Sequence, residues 1–191
     1  MFTIKNKFTF IHIPKTSGSS LTHMVSNQIE TKSENLRLHG LGWQEKYHFN
    51  KIHEDLNSVE KSDFKNIEND IITIVRNPYS RMVSICQHFG KDWKIFLNKL
   101  PKMKKFSAGK WHYTQYDYIK NKYNLNVKIY KFEENPLEKI CIDYNLKYEQ
   151  IHRLKTIYKY DSFWDYYDSE KKQIVFELCK KDFEYFDYKE N

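Results

Sequence analysis

The segment Ile71-Ile72-Thr73-Ile74-Val75 is followed at once by Arg76-Asn77-Pro78. A short run so continuously apolar suits a strand covered on both faces of a parallel sheet, since a half-exposed strand would alternate. Asn77 then offers a helix N-cap and Pro78 a first helical residue, because proline lacks only an N–H that the helix start would not use. A doubly covered strand that passes directly into a helix constrains the chain to an α/β fold.

The rest of the sequence repeats that alternation. An apolar stretch over 8–13 predicts a strand, and Leu21, Met24, Val25 and Ile29 predict a helix over 19–30. Leu36-Arg37-Leu38 reads as a short extended piece leading to His39 and a Gly40-Leu41-Gly42 loop. After Pro78 the inward stripe is Met82, Val83, Cys86 and Phe89; Trp93, Phe96, Leu97 and Leu100 mark a further helix that stops at Pro101. A loop over 101–112 leads to a helical stretch near 114–122, and Val127 to Phe132 is the third clear strand. Asn135-Pro136 opens a helix with Leu137, Ile140, Cys141 and Tyr144 inward; the last helix, about 169–181, carries Ile174, Val175, Leu178 and Cys179. The expected architecture is a three-layer α/β domain with a mostly parallel sheet, spanning 1–191 as one domain without internal repeats.

At 191 residues, with 40% hydrophobic and 17% aromatic content, the chain can bury a packed core, which excludes a low-complexity disordered class. The net charge of +7 favours anionic partners such as nucleotides or acidic glycans. The basic residues are interspersed with acidic ones, apart from Lys102, Lys104, Lys105 and Lys110 in an expected loop, so no stripe of the nucleic-acid-binding kind exists. The opening Met-Phe-Thr-Ile-Lys-Asn-Lys lacks the apolar core of a signal peptide, and no stretch reaches the roughly 18 apolar residues of a membrane span. A soluble, cytoplasmic protein is the expectation. Cys86, Cys141 and Cys179 each fall on the apolar face of an expected helix with no paired spacing, which predicts buried reduced thiols.

Two segments carry candidate chemistry. In Phe10-Ile11-His12-Ile13-Pro14-Lys15-Thr16-Ser17-Gly18-Ser19-Ser20-Leu21 an apolar run ends in a small-residue loop that opens a helix. Strand, loop and helix start offer backbone N–H groups and a positive helix end to a phosphate or sulfate. Gly18 allows close backbone approach, Lys15 adds charge, and Thr16, Ser17, Ser19 and Ser20 add donors. This is a P-loop-like arrangement but not the common nucleotide loop G-x-x-x-x-G-K-[ST], since Lys15 lies three residues before Gly18. In Arg76-Asn77-Pro78-Tyr79-Ser80-Arg81-Met82-Val83-Ser84, Arg76 leaves the carboxyl end of a buried strand, where α/β domains bind ligands. Its planar fork suits a phosphate, and Ser84 adds a hydroxyl. Taken alone, Arg76 and Arg81 would be expected to pair with surface carboxylates.

Together, Pro14-Lys15-Thr16-x-Gly18-x-Ser20-Leu21 and Arg76-Asn77-Pro78-Tyr79-x-Arg81-x-x-Ser84 resemble the paired motifs of sulfotransferases that use 3′-phosphoadenosine-5′-phosphosulfate (PAPS). The likeness is to the carbohydrate O-sulfotransferase branch with its small bacterial members. Gln115-Tyr116-Asp117-Tyr118 is similar to the family's piece after its second site, Lys131-Phe132-Glu133-Glu134 to its strand ending in F-E, and Lys181-Asp182-Phe183-Glu184-Tyr185-Phe186-Asp187-Tyr188 to its closing segment.

The resemblance implies that Lys15, Thr16, Ser17, Gly18, Ser19 and Ser20 bind the 5′-phosphosulfate, and that Arg76 and Ser84 bind the 3′-phosphate. It implies sulfuryl transfer without a metal to a hydroxyl acceptor, a glycan, with Lys15 stabilising the leaving phosphate. A histidine after the first helix acts as base in similar members, which points to His39; His48, His53 and Glu45 are the alternatives. His12 in the first strand, and His23 and His88 on helices, read as structural. A nucleotide-dependent phosphotransferase and a non-catalytic protein for acidic glycans are the competing function classes.

Overall fold

In the computed structural model, the residues described are 1–4, 6–28, 36–38, 55–58, 69–100, 114–150 and 161–190. In chain order the elements are β1 (Phe2–Ile4), β2 (Phe8–Ile11), α1 (Gly18–Gln28), β3 (Leu36–Leu38), β4 (Asp70–Val75), α2 (Pro78–His88), α3 (Trp93–Lys99), α4 (Tyr116–Ile119), β5 (Val127–Lys131), α5 (Pro136–Asp143) and α6 (Ser169–Phe186). The protein is an α/β protein, and no helix among the described residues is long and apolar enough to cross a membrane. Its chain forms two compact units, one from Met1–Val75 with Tyr118–Arg153 and one from Arg76–Asp117 with Leu154–Asn191.

The first unit holds a five-stranded sheet in the order β3-β1-β2-β4-β5. β2, β4 and β5 pair in parallel, with Phe10 opposite Ile72 and Ile74 opposite Tyr130. β1 runs antiparallel to both β2 and β3, so four of the five strands point the same way. β1 precedes the first strand legible in the sequence. It is only three residues long and returns through a tight turn in which Asn6 takes a φ of 61° and the Lys7 N–H donates to the Ile4 carbonyl. Asparagine tolerates this left-handed conformation better than most residues.

Because side chains alternate along a strand, Phe2, Ile4, Phe8, Phe10, Ile72, Ile74 and Tyr130 share one face. They pack with Leu21, Met24 and Val25 of α1 and with Ile140 and Cys141 of α5. On the other face Thr9, Ile11, Thr73 and Val75 are buried as well, so β2 and β4 are covered on both sides. The one buried polar residue of β4 is accommodated by a bond: Thr73 Oγ1 donates to the Ile11 carbonyl at 2.8 Å. At the β5 edge Lys128 pairs with Asp143 at 2.8 Å, a charged side chain of the sort that discourages edge-to-edge pairing.

The second unit is helical. Tyr79, Met82, Ile85 and Cys86 of α2 pack with Phe96 and Leu97 of α3, Leu100, and Val175, Cys179 and Phe183 of α6. Capping follows sequence chemistry: the Asn77 side chain accepts from the N–H groups of Tyr79 and Ser80, Asp92 from Ile95, and Asp168 from Lys171. α6 runs five residues beyond the expected end at 181, reaching Phe186, with a local break in helical geometry at Cys179. Its buried stripe continues through Asp182, Phe183 and Phe186, which keeps the extra turn packed. All three cysteines are buried thiols, as expected, and burial pushes the Cys86 thiol up to about 12, which leaves it inert as a nucleophile at neutral pH.

Two isoleucines on one helix test this packing. Ile140→Ala, in the sheet–helix core, should lower stability in urea denaturation by about 2–5 kcal/mol. Ile142→Ala, at a position 73% exposed, should stay within about 0.5 kcal/mol of wild type. Equal effects at the two positions would mean that α5 does not lie on the sheet as described.

Candidate anion-binding segments

β2 stops at Ile11, and the chain passes through buried His12, Ile13 and Pro14 into the turn that opens α1. Lys15 and Ser17 both take positive φ, at 68° and 74°. Two non-glycine residues in the left-handed region within three positions are costly, of order 1–3 kcal/mol each, and such outliers cluster at ligand-binding turns. Left-handed residues also belong to the backbone turns that bind anions through successive N–H groups. The turn is tied internally: Thr16 Oγ1 donates to the Ile13 carbonyl at 2.9 Å, and the N–H groups of Ser20 and Leu21 both reach the Ser17 carbonyl. Thr16 and Ser20 are buried, while Lys15, Ser17 and Ser19 are half-buried. The first turn of α1 carries no acidic residue, so no side-chain carboxylate of that turn already offsets the positive helix end.

Gly18 has a further reason to be glycine. A Cβ at this position would lie 2.1 Å from His12 Cδ2 and 2.3 Å from His12 Nε2. The buried imidazole thus occupies the volume that a side chain at 18 would need. β2 ends at Ile11, one residue short of the strand position expected for His12, and the buried ring instead sets the spacing between strand end and helix start.

The second segment is built differently. Arg76 and Arg81 are not surface residues: they are 7% and 1% exposed, and Ser84 of α2 is buried as well. Arg76 Nε donates to Ser80 Oγ at 2.8 Å, one turn along. The Arg76 N–H donates to Gln115 Oε1 at 2.8 Å, and Gln115 Nε2 donates back to the Arg76 carbonyl at 2.7 Å. Gln115 is itself held by Asp182, whose carboxylate accepts the backbone N–H of Gln115 at 2.7 and 2.8 Å and that of Tyr116 at 2.9 Å. The start of α2 is already capped by Asn77, so an anion here would meet side chains more than helix amides.

Three sequence pieces read separately therefore meet within this unit: Arg76, Gln115 and Asp182. Asp182 is fully buried, and burial pushes its carboxyl up to about 6 against the opposing pull of Arg81 and of the N–H groups it accepts. The aspartate opens the D-F-E piece that resembles the family's closing segment, but the resemblance gives it no role, and it stands among charged neighbours in Lys180-Lys181-Asp182-Phe183-Glu184. Its spacing to Cys179 and Phe183, on the buried stripe of α6, is the only local sign that it points inward.

His39, Glu45, His48 and His53 lie outside the described residues. Of the other histidines, His23 is half-buried on α1 and His88 is exposed in the last turn of α2. No group of three or more His, Cys, Asp or Glu side chains among the described residues is arranged to hold a metal ion. Comparison with known protein families, curated proteins and solved structures finds no match to this chain.

Two outcomes follow from this geometry. Gly18→Ala must displace the His12 ring or the start of α1, and overpacking of this kind should cost about 1–3 kcal/mol in thermal or urea unfolding. A second change, Gly18→Ala with His12→Ala, should recover part of that loss relative to His12→Ala alone, because the clashing ring is gone.

The Asp182 carboxyl, raised to about 6, holds a proton in the folded state over a range where the unfolded chain has released it. Its contribution to stability therefore declines as pH rises from about 4 to about 6 and is level above that. Wild type should lose stability relative to Asp182→Asn between pH 4.5 and 7 in urea titrations. The opposite trend would mean that Arg81 and the N–H donors outweigh burial.

Proposed function

We propose that this chain transfers a sulfuryl group from PAPS to a hydroxyl group of an acceptor, a carbohydrate. The observation that carries the reading is the turn after β2, in which Lys15 and Ser17 sit at positive φ ahead of a helix whose first turn has no acid. In this reading the loop Lys15, Thr16, Ser17, Gly18, Ser19 and Ser20 belongs to a P-loop-like core of a three-layer fold and takes the 5′-phosphosulfate. Arg76 and Ser84 take the 3′-phosphate, for which a planar guanidinium can supply two parallel N–H bonds.

The reaction forms an oxygen–sulfur bond to the acceptor and breaks the bond between sulfur and the phosphate oxygen, releasing 3′-phosphoadenosine-5′-phosphate (PAP). The acceptor proton passes to a base, assigned to His39 by the family resemblance. Negative charge grows on the departing phosphate, where Lys15 and the loop amides stabilise it. A preorganised donor at a developing charge is commonly worth about 3–4 kcal/mol. No metal enters this scheme. The basic balance of +7 suits both a polyanionic donor and an acidic glycan acceptor.

Calorimetric titration with PAP, AMP and ATP tests the reading. PAP should bind more tightly than AMP, and Arg76→Ala should weaken PAP binding by about 2–4 kcal/mol while leaving AMP nearly unchanged, because only PAP carries the 3′-phosphate. Preference for ATP would favour a phosphotransferase instead, and absence of nucleotide binding a non-catalytic glycan-binding role. An equal loss for PAP and AMP would assign Arg76 to folding or general electrostatics.

A further inference from the structure

We infer that Asp182 is a positioning residue for Arg76, acting through the side-chain amide of Gln115. The inference rests on the proposed function only in naming the 3′-phosphate as the anion that Arg76 serves.

The geometry is a relay of donors and acceptors with little slack. The Arg76 peptide gives its N–H to Gln115 Oε1 and takes Gln115 Nε2 on its carbonyl, at 2.8 and 2.7 Å. One side-chain amide thus fills both polar groups of one peptide, as a neighbouring strand would. An amide has two unlike ends, and the reversed orientation would set oxygen against carbonyl oxygen and NH₂ against N–H. Asp182 selects the working orientation, since its Oδ2 also accepts from Gln115 Nε2, at 3.2 Å. A carboxylate offers only acceptors, so it excludes the amide oxygen from that side.

The same carboxylate fixes where the amide starts from. It accepts the backbone N–H groups of Gln115 and Tyr116, so residues 115 and 116 are held to α6 through one side chain. α6 is anchored there by Cys179 and Phe183 in the helical core. Charged groups acting on Asp182 are Arg81 from α2, which opposes the effect of burial, and Asp182 in turn acts on the Cys179 thiol of its own helix. Downstream, Arg76 Nε is pinned to Ser80 Oγ, which fixes the plane of the guanidinium once its backbone is fixed. Ser80 Oγ in turn donates to the Asn77 carbonyl at 3.2 Å. From Asp182 to the guanidinium, each bond sets the orientation of the next group.

A merely structural Asp182 would affect stability alone; a positioning residue also changes how Arg76 meets an anion. Two variants separate these roles. Asp182→Asn keeps the shape but places a donor end against N–H groups. Gln115→Met keeps the volume and the backbone bonds to Asp182 but removes the amide. Each is checked for folding by circular dichroism, then measured by PAP and AMP titration and by hydrogen exchange at the Arg76 amide.

In the folded variants, PAP affinity should fall about tenfold or more with AMP affinity within about twofold of wild type. Exchange at the Arg76 amide should accelerate about tenfold or more. If Asp182→Asn does not fold, Gln115→Met alone decides. Unchanged PAP affinity in a folded variant overturns the inference, whether or not exchange accelerates. If wild type shows no preference for PAP, the proposed function fails, and the Arg76 amide then judges the relay by itself: accelerated exchange upholds it, and unchanged exchange overturns it.

Discussion

A strand covered on both faces leaves no water beside it, so each polar group on it must be satisfied within the protein. β4 meets this demand through two parallel neighbours and through Thr73, whose hydroxyl is donated to the Ile11 carbonyl. The residue after it, Arg76, is 7% exposed, and a buried peptide left unpaired costs about 1–3 kcal/mol per group. The Gln115 amide removes that cost. Once a glutamine is committed to the task, something must hold the glutamine, and Asp182 does so. The polar interior around residue 76 is thus the consequence of ending a buried strand at a peptide that is itself buried.

The two candidate anion segments reach their chemistry by different routes. After β2 the backbone itself is shaped, with Lys15 and Ser17 in the left-handed region and Thr16 tying the turn to Ile13. After β4 the helix start is already filled by the Asn77 cap, so the donors on offer there are the side chains of Arg76 and its neighbours on α2. A backbone turn recognises any tetrahedral anion that fits. A buried arginine held at its Nε by Ser80 presents a fixed plane, which suits discrimination by geometry.

Much of the fold was legible because its signals are local. The runs at 8–13, 71–75 and 127–132 correspond to β2, β4 and β5, and Asn77-Pro78 opens α2 with the cap that its residues announce. Asn135-Pro136 opens α5, although Asn135 takes a φ of 53° and makes no capping bond, so the same dipeptide works there by a different conformation. β1 was not legible, since three residues carry no period and its pairing with β2 depends on a turn at Asn6. The end of α6 was misplaced by five residues because the stripe through Asp182 includes a buried acid, which reads as a surface residue until its partners are known.

For the candidate site, the sequence by itself determined the residue types and their order: a lysine, hydroxyls and a glycine after one strand, an arginine and serines after another. Those follow from short-range rules, since caps, turns and strand ends act over a few residues. Only the tertiary structure decided that Gly18 is glycine because the His12 ring fills the adjacent volume. It alone brought Gln115 and Asp182 to Arg76, across 39 residues in the first case and with 67 more between Gln115 and Asp182. Contacts of that kind arise from burial: a charged or amide group taken out of water must find its complement wherever the fold places one, and no local pattern records where that is.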